Sequence, residues 1–170
     1  MRPDHPVRII RPIAYSELEA AYRLELSCYP HEAAATCEAF IYRQRYFPSY
    51  FLSAWENSAL VGLACGVRTS SPDSGEESVK GDTGTDPEGI HLCVLSVAVD
   101  SESRRGGIGT ELVEALVRQA EEDRLASIIL MCEAHLISFY ERVGFEYVRL
   151  SSSRHGGIQW HEMKRELGTR

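Results

Sequence analysis

Short apolar runs alternate with amphipathic segments along this chain, and their order predicts a mixed α/β domain. Runs rich in β-branched and aromatic residues favour strands, whereas apolar residues spaced three or four apart favour helices. The predicted strands are residues 7–13, 50–55, 60–67, a run that starts at His91, 127–132, 145–150 and 158–164. The predicted helices are a segment that starts near Ser16 and residues 33–44, 111–124 and 135–143.

Capping, proline and glycine residues predict several boundaries of these elements. Ser16 and Glu19 form a capping box for the first helix. Pro48 ends the second helix, and Gly144 closes the last one. The helix 111–124 lies between two apolar strands, so a parallel βαβ unit is expected around it.

Residues 69–89 differ in composition from the rest of the chain. They are rich in Ser, Gly, Thr and acidic residues, with Lys80 as the lone base. A segment of this kind has too few apolar residues to bury, so it predicts a flexible acidic surface insertion. We interpret residues 1–170 as a single domain that carries this insertion as a passive loop. A lid over an active site is the alternative.

Composition and charge narrow the class of protein. The chain has 170 residues, of which 44% are hydrophobic, enough for one compact domain. Lys and Arg number 18 against 25 Asp and Glu, a formal charge of -7, which argues against nucleic acid as a partner. The five cysteines contain no C-x-x-C pair, and no run has the apolar length of a signal peptide or membrane span. We therefore expect a cytoplasmic protein with reduced thiols and no membrane partner.

A basic, glycine-rich turn follows the apolar run at His91. Arg104 and Arg105 precede Gly106, Gly107 and Gly109, and an amphipathic helix comes next. Glycines let backbone N–H groups converge, a helix N-terminus adds partial positive charge, and arginines donate to phosphate oxygens. The glycine spacing fits neither a P-loop, which requires a following lysine, nor a dinucleotide fingerprint. The turn therefore predicts a binding site for a pyrophosphate.

Two motifs carry a resemblance to a known family. Residues 104–109 resemble Arg/Gln-x-x-Gly-x-Gly/Ala, the acetyl-CoA pyrophosphate loop of the GNAT N-acetyltransferase superfamily. Residues 133–145 resemble its Phe-Tyr-Glu-Arg/Lys-x-Gly-Phe segment. The chain is most similar to the arylalkylamine (serotonin-type) N-acetyltransferases, through Cys28-Tyr29-Pro30, Leu130-Met131-Cys132-Glu133 and Phe139-Tyr140-Glu141-Arg142. The resemblance covers nearly the whole chain outside residues 69–89.

The resemblance implies an α/β (α+β) fold with a mixed, splayed sheet of about seven strands and helices on both faces. Acetyl-CoA would lie where the central strand diverges from its neighbour, because the amides of its pantetheine arm can pair with the unpartnered backbone there. No metal is expected. The residues implied to bind acetyl-CoA are Val97, Ala98 and Val99 through their backbone, and Arg104, Arg105, Gly106, Gly107, Gly109 and Thr110 at the pyrophosphate.

Acetyl transfer to an amine requires a base that deprotonates the ammonium group and an acid that protonates the departing thiolate. The resemblance implies direct transfer within a ternary complex, with Tyr140 as the acid. A core tyrosine on an amphipathic helix is the alternative interpretation of Tyr140.

The base is less clear from the sequence, because the family's central-strand histidines fall on Cys93 and Leu95. His91 lies on the same strand and is the candidate base, since a β-bulge in this strand would shift it toward the family position. The alternatives are a water relay, or His155 or His161 near the last strand.

The acceptor pocket is expected to be aromatic and apolar. Tyr29, Pro30 and Trp160 are its candidate residues, together with Cys93 and Leu95 on the central strand. A small primary amine, most simply an arylalkylamine, is the expected acceptor. A polyamine, or a protein N-terminus or lysine, is the alternative acceptor. An inactive acetyl-CoA sensor and a nucleotide-binding regulatory module are alternatives of another class. The chain is expected to act as a monomer or homodimer.

Overall fold

A computed structural model describes residues 7–71 and 84–168 of the chain. Within these residues seven strands form one sheet in the order β1-β2-β3-β4-β5-β7-β6. The strands are β1 (Arg8–Pro12), β2 (Phe51–Glu56), β3 (Ala59–Thr69), β4 (His91–Val99), β5 (Ser127–Cys132), β6 (Glu146–Leu150) and β7 (His161–Glu166). β4 and β5 pair in parallel and the other neighbouring strands pair antiparallel, so the predicted mixed sheet and its parallel unit are confirmed.

Helices cover both faces of this sheet. In the described residues the α-helices are α1 (Leu18–Cys28), α2 (Cys37–Tyr46), α3 (Ile108–Glu122) and α4 (Ile137–Arg142). α1 packs with Phe40 of α2 on the face that carries Leu63 of β3. α3 lies on the opposite face, since a Cβ built on Gly62 of β3 would meet the Ile108 side chain at 2.8 Å. The expected arrangement of helices on both faces is thus confirmed.

The start of α1 differs from the prediction. A short 3-10 turn, Tyr15–Glu17, precedes the helix, and the Glu17 carboxylate accepts a hydrogen bond from the Ala14 N–H at 2.8 Å. The capping box predicted from Ser16 and Glu19 is therefore wrong. The acidic residue that accepts from the backbone before the helix is Glu17, two positions earlier than the predicted Glu19. The shift arises because the first turn is a 3-10 turn, which is wound more tightly than an α-helix.

The start of α2 also lies later than predicted. The Thr36 hydroxyl accepts from the Ala39 N–H at 3.1 Å, which caps the helix and sets its first residue at Cys37. The residues before it form a turn, in which the Ala33 N–H donates to the Pro30 carbonyl at 2.9 Å. The alanine run 33–35 thus belongs to the loop between α1 and α2, despite its helix propensity.

The last strand begins at His161, three residues later than predicted. The preceding residues include a tight turn, His155–Gly157, in which Gly156 and Gly157 have φ values of +67° and +73°. Such backbone angles do not occur in a strand, so pairing with β5 begins only after the turn.

The ends of the acidic insertion pack against the domain. The Asp86 N–H donates to the Arg68 carbonyl at 2.9 Å, and the Thr69 hydroxyl donates to the Gly84 carbonyl at 3.1 Å. The Tyr42 and Thr85 hydroxyls are 2.6 Å apart. Part of the predicted flexible segment is therefore ordered on the body. The rest, residues 72–83, lies outside the described residues, so the predicted flexible insertion and single-domain boundary stay predictions.

β4 contains a β-bulge at Leu95. In its antiparallel pairing with β3, Ser96 lies opposite Cys65 while Val94 lies opposite Gly66, so Leu95 has no partner across the pair. An extra residue of this kind reverses the face on which the following side chains lie.

Because of the bulge, two β4 residues that strict alternation would place on opposite faces lie on the same face. Ser96 is opposite Cys65, which packs in the cluster beneath α1, so Ser96 lies on that face. Cys93 is opposite Val67, which alternation along β3 assigns to the face of Cys65. Cys93 and Ser96 therefore share the α1 face, although they are three residues apart.

Candidate active site

A cavity lies where β4 and β5 separate. The parallel pairing runs only as far as Val94 and Leu130, and beyond this point the strands diverge as the splayed sheet was expected to do. The next residues of both strands line the cavity, together with the loop between α1 and α2, Tyr140 of α4 and Trp160 before β7. Elements distant in sequence thus meet at the splay.

Two backbone carbonyls of β4 are directed at the open edge. The Val97 carbonyl accepts from the Tyr29 hydroxyl at 2.8 Å, and the Val99 carbonyl accepts from Arg104 Nε at 3.1 Å. The Asp100 N–H bonds to β3, and backbone groups alternate in direction along a strand, so the backbone of Ala98 also points toward β3. The carbonyls of Val97 and Val99 therefore fit the expected pantetheine contacts, and Ala98 does not.

The glycine-rich turn lies at the N-terminus of α3. Residues Ser101–Gly106 form a 3-10 turn, and Gly107 follows in the left-handed conformation with φ of +77°. The first helical hydrogen bond runs from the Glu111 N–H to the Gly107 carbonyl at 3.0 Å. The N–H groups of the first helical turn have no partner in the preceding turn of helix, so they are donors suited to phosphate oxygens. The predicted pyrophosphate residues Gly106, Gly107, Gly109 and Thr110 all lie at this terminus.

The glycines of this turn also permit close packing. A Cβ on Gly106 would lie 2.9 Å from the Arg8 guanidinium, and one on Gly109 would lie 3.4 Å from the Phe139 ring. Of the two predicted arginines, Arg104 is exposed and also contacts the Cys28 sulfur at 3.6 Å. Arg105 belongs to the turn, and its side chain is outside the described part of the structure.

Tyr140 is buried and lines the cavity. Its ring packs edge-on against Phe139 and Phe145, with centroids 4.9 and 5.7 Å away. Burial, with the nearby Cys132 thiol, raises the pKa of the Tyr140 hydroxyl above its ordinary value. The hydroxyl therefore keeps its proton at neutral pH, the state that a general acid requires.

A buried carboxylate that sequence reasoning missed lies in the same cavity. Glu25 of α1 is 2% exposed and lines the cavity. Its Oε2 accepts from the Ala35 N–H at 2.8 Å and from the Ser96 hydroxyl at 3.1 Å. Its Oε1 is buried and has no hydrogen-bond partner among the described residues. A buried carboxylate oxygen without a donor is costly, so Oε1 is the atom of this carboxylate that a hydrogen-bond donor in the cavity can satisfy.

Burial and the neighbouring polar groups shift the pKa of Glu25 in opposite directions. Burial raises the pKa above the ordinary glutamate value, and the Ala35 and Ser96 hydrogen bonds and the Arg43 guanidinium oppose that rise. Arg43 of α2 is itself buried, lines the cavity and donates to the Cys65 sulfur at 3.6 Å. The cavity wall therefore holds an anion and a cation in one buried polar cluster.

A sequence signal for Glu25 was present. α1 buries Leu18, Ala21 and Leu24, and Glu25 follows Leu18 by seven residues and Ala21 by four, so it falls on the apolar face. A charged residue at a core position of an amphipathic helix is rare without a partner or a role. Glu25 could therefore have been singled out from the spacing alone.

Four of the five predicted acceptor residues line the cavity. They are Tyr29, Cys93, Leu95 and Trp160. Pro30 is exposed and is not in the lining, because its carbonyl begins the turn that leads away from α1.

The candidate base His91 lies at the other end of β4. Its Nδ1 is 2.6 Å from the Ser127 hydroxyl, and it is outside the cavity lining. A bulge of the kind considered for this strand exists, but it follows His91 and does not move it along the strand. The structure therefore does not support His91 as the base. Of the alternatives, His155 lines the cavity, whereas His161 contacts the Tyr147 hydroxyl at 3.0 Å on the surface.

Two loops meet above the cavity. His155 Nε2 is 3.3 Å from the Ala33 carbonyl, and the Trp160 indole N–H donates to the His155 carbonyl at 2.9 Å. Gly156 packs so closely that a Cβ on it would lie 2.6 Å from Ala33 Cβ. We call this contact between the α1–α2 loop and the turn His155–Gly157 the roof of the cavity.

Two further observations concern the described residues alone. Residues 7–71 and 84–168 contain no group of three or more His, Cys, Asp or Glu side chains placed to hold a metal ion. No helix in these ranges combines the length and apolar character that crossing a membrane requires. The expectation that no metal takes part stays a prediction.

Comparison with known proteins identifies the family. A model of the acetyltransferase (GNAT) family matches residues 18–145, which is most of the chain. The chain belongs to this family. GCN5-related N-acetyltransferase 2, chloroplastic, from Arabidopsis thaliana is 30% identical over 108 residues, which cover 55% of this chain and 41% of that protein. The match therefore spans less than half the length of this curated relative.

Solved structures share the fold of this acetyltransferase. The loading GNATL domain of CurA from Lyngbya majuscula has a TM-score of 0.83 at 12% identity and covers 94% of this chain and 98% of its own. The ribosomal-protein-S18-alanine N-acetyltransferase from Escherichia coli has a TM-score of 0.71 at 19% identity, with 96% of each chain covered. The predicted fold class and superfamily are thus confirmed, and the arylalkylamine subgroup stays a prediction.

Proposed function

We propose that this acetyltransferase transfers the acetyl group of acetyl-CoA directly to a small primary amine, and that the acceptor is an arylalkylamine. The observation that carries the proposal is a pair of buried groups in one cavity at the strand splay. Glu25 has a carboxylate oxygen without a donor, and Tyr140 has a hydroxyl that stays protonated. Amide formation from a thioester and an ammonium group needs both a proton acceptor and a proton donor.

Glu25 is the proposed base. An acceptor ammonium group supplies the donor that Oε1 lacks among the described residues, so the same atom binds the acceptor and then takes its proton. Burial raises the pKa of Glu25 and makes it a stronger base than an exposed glutamate. This assignment replaces His91, whose ring lies outside the cavity.

Tyr140 is the proposed acid. Acetyl-CoA bound at the splay supplies the thioester, and the residues that fit it are the Val97 and Val99 carbonyls and the α3 N-terminus. The Tyr140 hydroxyl is a protonated donor in the lining of the cavity, and it gives its proton to the departing thiolate sulfur. A raised pKa keeps this donor protonated well above neutral pH.

The proposed base gives the activity a definite pH dependence. Glu25 accepts a proton only when it is ionised, so kcat/KM is full above the pKa of Glu25 and falls as the pH drops through it. Because that pKa is raised by burial, the acid limb lies above the ordinary titration range of glutamate. Glu25→Gln removes the limb together with most of the activity.

The roof favours a small acceptor over a polypeptide. An extended peptide needs an open groove along the cavity, and the contact of Ala33 with His155 and Gly156 bridges the two loops that would border such a groove. One part of the lining is apolar, with Leu95, Leu136 and Trp160 and the alanines of the α1–α2 loop. An aryl ring fits these surfaces, and its ammonium group fits Glu25.

A polyamine is the second candidate acceptor, because a second carboxylate, Glu133, also lines the cavity. Two carboxylates could hold two ammonium groups of one diamine. An apolar wall would in contrast reject the charged middle of a longer polyamine. The order of activity among amines therefore separates the two candidates.

The test is release of free CoA from acetyl-CoA by the purified protein with tryptamine, phenethylamine, spermidine and a peptide with a free N-terminus. We expect the arylalkylamines to have the highest kcat/KM and Glu25→Gln to lower it by about a hundredfold. Higher kcat/KM for the peptide or spermidine would contradict the proposed acceptor. No release with any amine, despite measurable acetyl-CoA binding, would indicate an acetyl-CoA sensor.

A further inference from the structure

We propose that Ser96 positions the Glu25 carboxylate. The bulge at Leu95 in β4 brings the Ser96 hydroxyl within hydrogen-bond distance of this carboxylate. The inference rests on the proposed role of Glu25 as base. It goes beyond that role because it says what orients the carboxylate, namely the Ser96 hydroxyl and the extra strand residue Leu95.

The two oxygens of the Glu25 carboxylate have different surroundings. Oε2 accepts from the Ala35 N–H at 2.8 Å and from the Ser96 hydroxyl at 3.1 Å, whereas Oε1 accepts from no described residue. Two donors on one oxygen fix the rotation of the carboxylate about its last bond. The other oxygen is then the one that remains available to the acceptor.

The two donors come from different elements. Ala35 belongs to the α1–α2 loop, and Ser96 belongs to the central strand, where its side chain is 3% exposed. The loop donor, Ala35, lies in the same loop as Ala33, which forms part of the roof. Ser96 is held in the sheet, so it supplies the rigid half of the arrangement.

The bulge decides whether Ser96 can reach Glu25 at all. Ser96 pairs with Cys65, and Cys65 packs against the cluster beneath α1, the helix that carries Glu25. With strict alternation from Cys93, Ser96 would point to the face of α3 instead. The extra residue, Leu95, thus places a hydroxyl donor and a cavity-lining thiol, Cys93, on one face of the strand.

A buried serine at this position has a specific electrostatic effect. Its hydroxyl donates to the ionised form of Glu25 and lowers a pKa that burial has raised. Without it, the carboxylate keeps one donor, turns more freely and is protonated at higher pH. The loss therefore appears both in the turnover rate and in the pH at which the rate falls.

The test compares Ser96→Ala, Ser96→Cys and Ser96→Thr by their pH profiles of kcat with a fixed arylalkylamine. We expect the Ala and Cys variants to lose about tenfold in kcat at pH 7 and to shift the acid limb upward by about one pH unit. The Thr variant keeps the hydroxyl and is expected to restore the position of the limb. The Cys variant preserves side-chain size, so it carries the test if the Ala variant does not fold.

Ser53→Ala is the matched control. Ser53 is also fully buried in a strand, and its hydroxyl donates to the Arg11 carbonyl at 2.8 Å, away from the cavity. Its loss is expected to lower the melting temperature and leave the acid limb in place.

A double-mutant cycle separates positioning from structure. In a Glu25→Gln background, Ser96→Ala is expected to change kcat less than twofold, because the group it positions is no longer a base. An unchanged acid limb in Ser96→Ala and Ser96→Cys, with Glu25→Gln still inactive, would overturn the role of Ser96 alone. An active Glu25→Gln enzyme that keeps its acid limb would instead overturn the role of Glu25.

Discussion

The acetyl-CoA end and the acceptor end of the site are built from different parts of the chain. The turn before α3 is continuous in sequence, and it presents backbone groups made accessible by Gly107 at φ of +77°. The acceptor cavity is assembled from side chains of α1, α2, β4, α4 and the loop before β7. A backbone site depends on a local run of residues, whereas a side-chain site depends on the whole tertiary arrangement.

The difference also divides the chemistry. The α3 N-terminus offers N–H donors that suit the pyrophosphate of acetyl-CoA, a group that does not depend on which amine is the acceptor. The cavity holds Glu25 and Tyr140, the two groups proposed to take the proton of the amine and to protonate the departing thiolate. Substitutions in the two regions should therefore change different kinetic constants.

The largest effect is expected from Tyr140→Phe, which keeps the buried ring and removes the hydroxyl. We expect kcat to fall by about a hundredfold with KM for acetyl-CoA changed less than threefold, because the hydroxyl acts on the leaving group and the ring still packs on Phe139 and Phe145. Steady-state CoA release measures both constants. Tyr147→Phe, at an exposed position of β6, is the control. A hundredfold rise in KM alone would mean that Tyr140 binds the substrate and does not donate a proton.

The next largest effect is expected from Gly107→Ala. A side chain at φ of +77° strains the turn by about 1 kcal/mol and shifts the N–H groups at the start of α3, so KM for acetyl-CoA should rise about tenfold. Gly157 is the matched control, because it has φ of +73° and, like Gly107, open space around its Cα. Gly157→Ala should cost similar stability and leave KM for acetyl-CoA unchanged. Equal KM values for acetyl-CoA in both variants would refute a backbone-built cofactor site.

The turn before α3 could be predicted from the sequence better than the acceptor cavity. The turn at residues 104–110 and the helix after it were located from the sequence, because glycines, basic residues and a helix follow one another in one continuous run. Pyrophosphate binding at this turn stays a prediction. The mixed sheet of about seven strands and its splay followed from the family resemblance, and the structure has both. Helix starts were wrong where one capping residue, Thr36 or Glu17, outweighed propensity.

The acceptor cavity was predicted less well because its side chains come together only in the folded chain. Alternation along β4 cannot be followed through an extra residue that the sequence does not mark, so the partnership of Ser96 with Glu25 was not foreseen. His91 was chosen because it is the histidine of this strand, yet β4 lines the cavity only from Cys93 to Val97. The proposed base, Glu25, is carried by α1, a helix in which the sequence analysis singled out no catalytic residue.

A smaller effect is expected from Trp160→Leu, which tests the acceptor side. The indole lines the cavity and holds the roof through its bond to the His155 carbonyl at 2.9 Å. We expect KM for tryptamine to rise about fivefold, since a ring contact of this kind contributes about 1 kcal/mol, with KM for acetyl-CoA unchanged. Trp55→Leu, in β2 and outside the lining, should change neither constant. An equal rise in KM for a straight-chain alkylamine would show that the roof, and not ring stacking, sets the affinity.

The smallest effect is expected from Arg8→Met, which asks whether side chains also matter at the acetyl-CoA end. Arg8 pairs with Glu56 at 3.0 Å and with Glu111 in the first turn of α3 at 2.8 Å, and its guanidinium lies against Gly106. We expect a loss of about 1 kcal/mol in the free energy of unfolding, because the pair is only partly exposed, and a smaller loss at high salt. Arg23→Met, in the exposed pair with Glu19, should lose less than half of that. Urea unfolding at two salt concentrations measures both losses. KM for acetyl-CoA should change less than twofold, since Arg8 is held by two carboxylates and the expected phosphate donors at this turn are backbone N–H groups. A tenfold rise would instead make Arg8 a phosphate contact and weaken the distinction between a backbone site and a side-chain site.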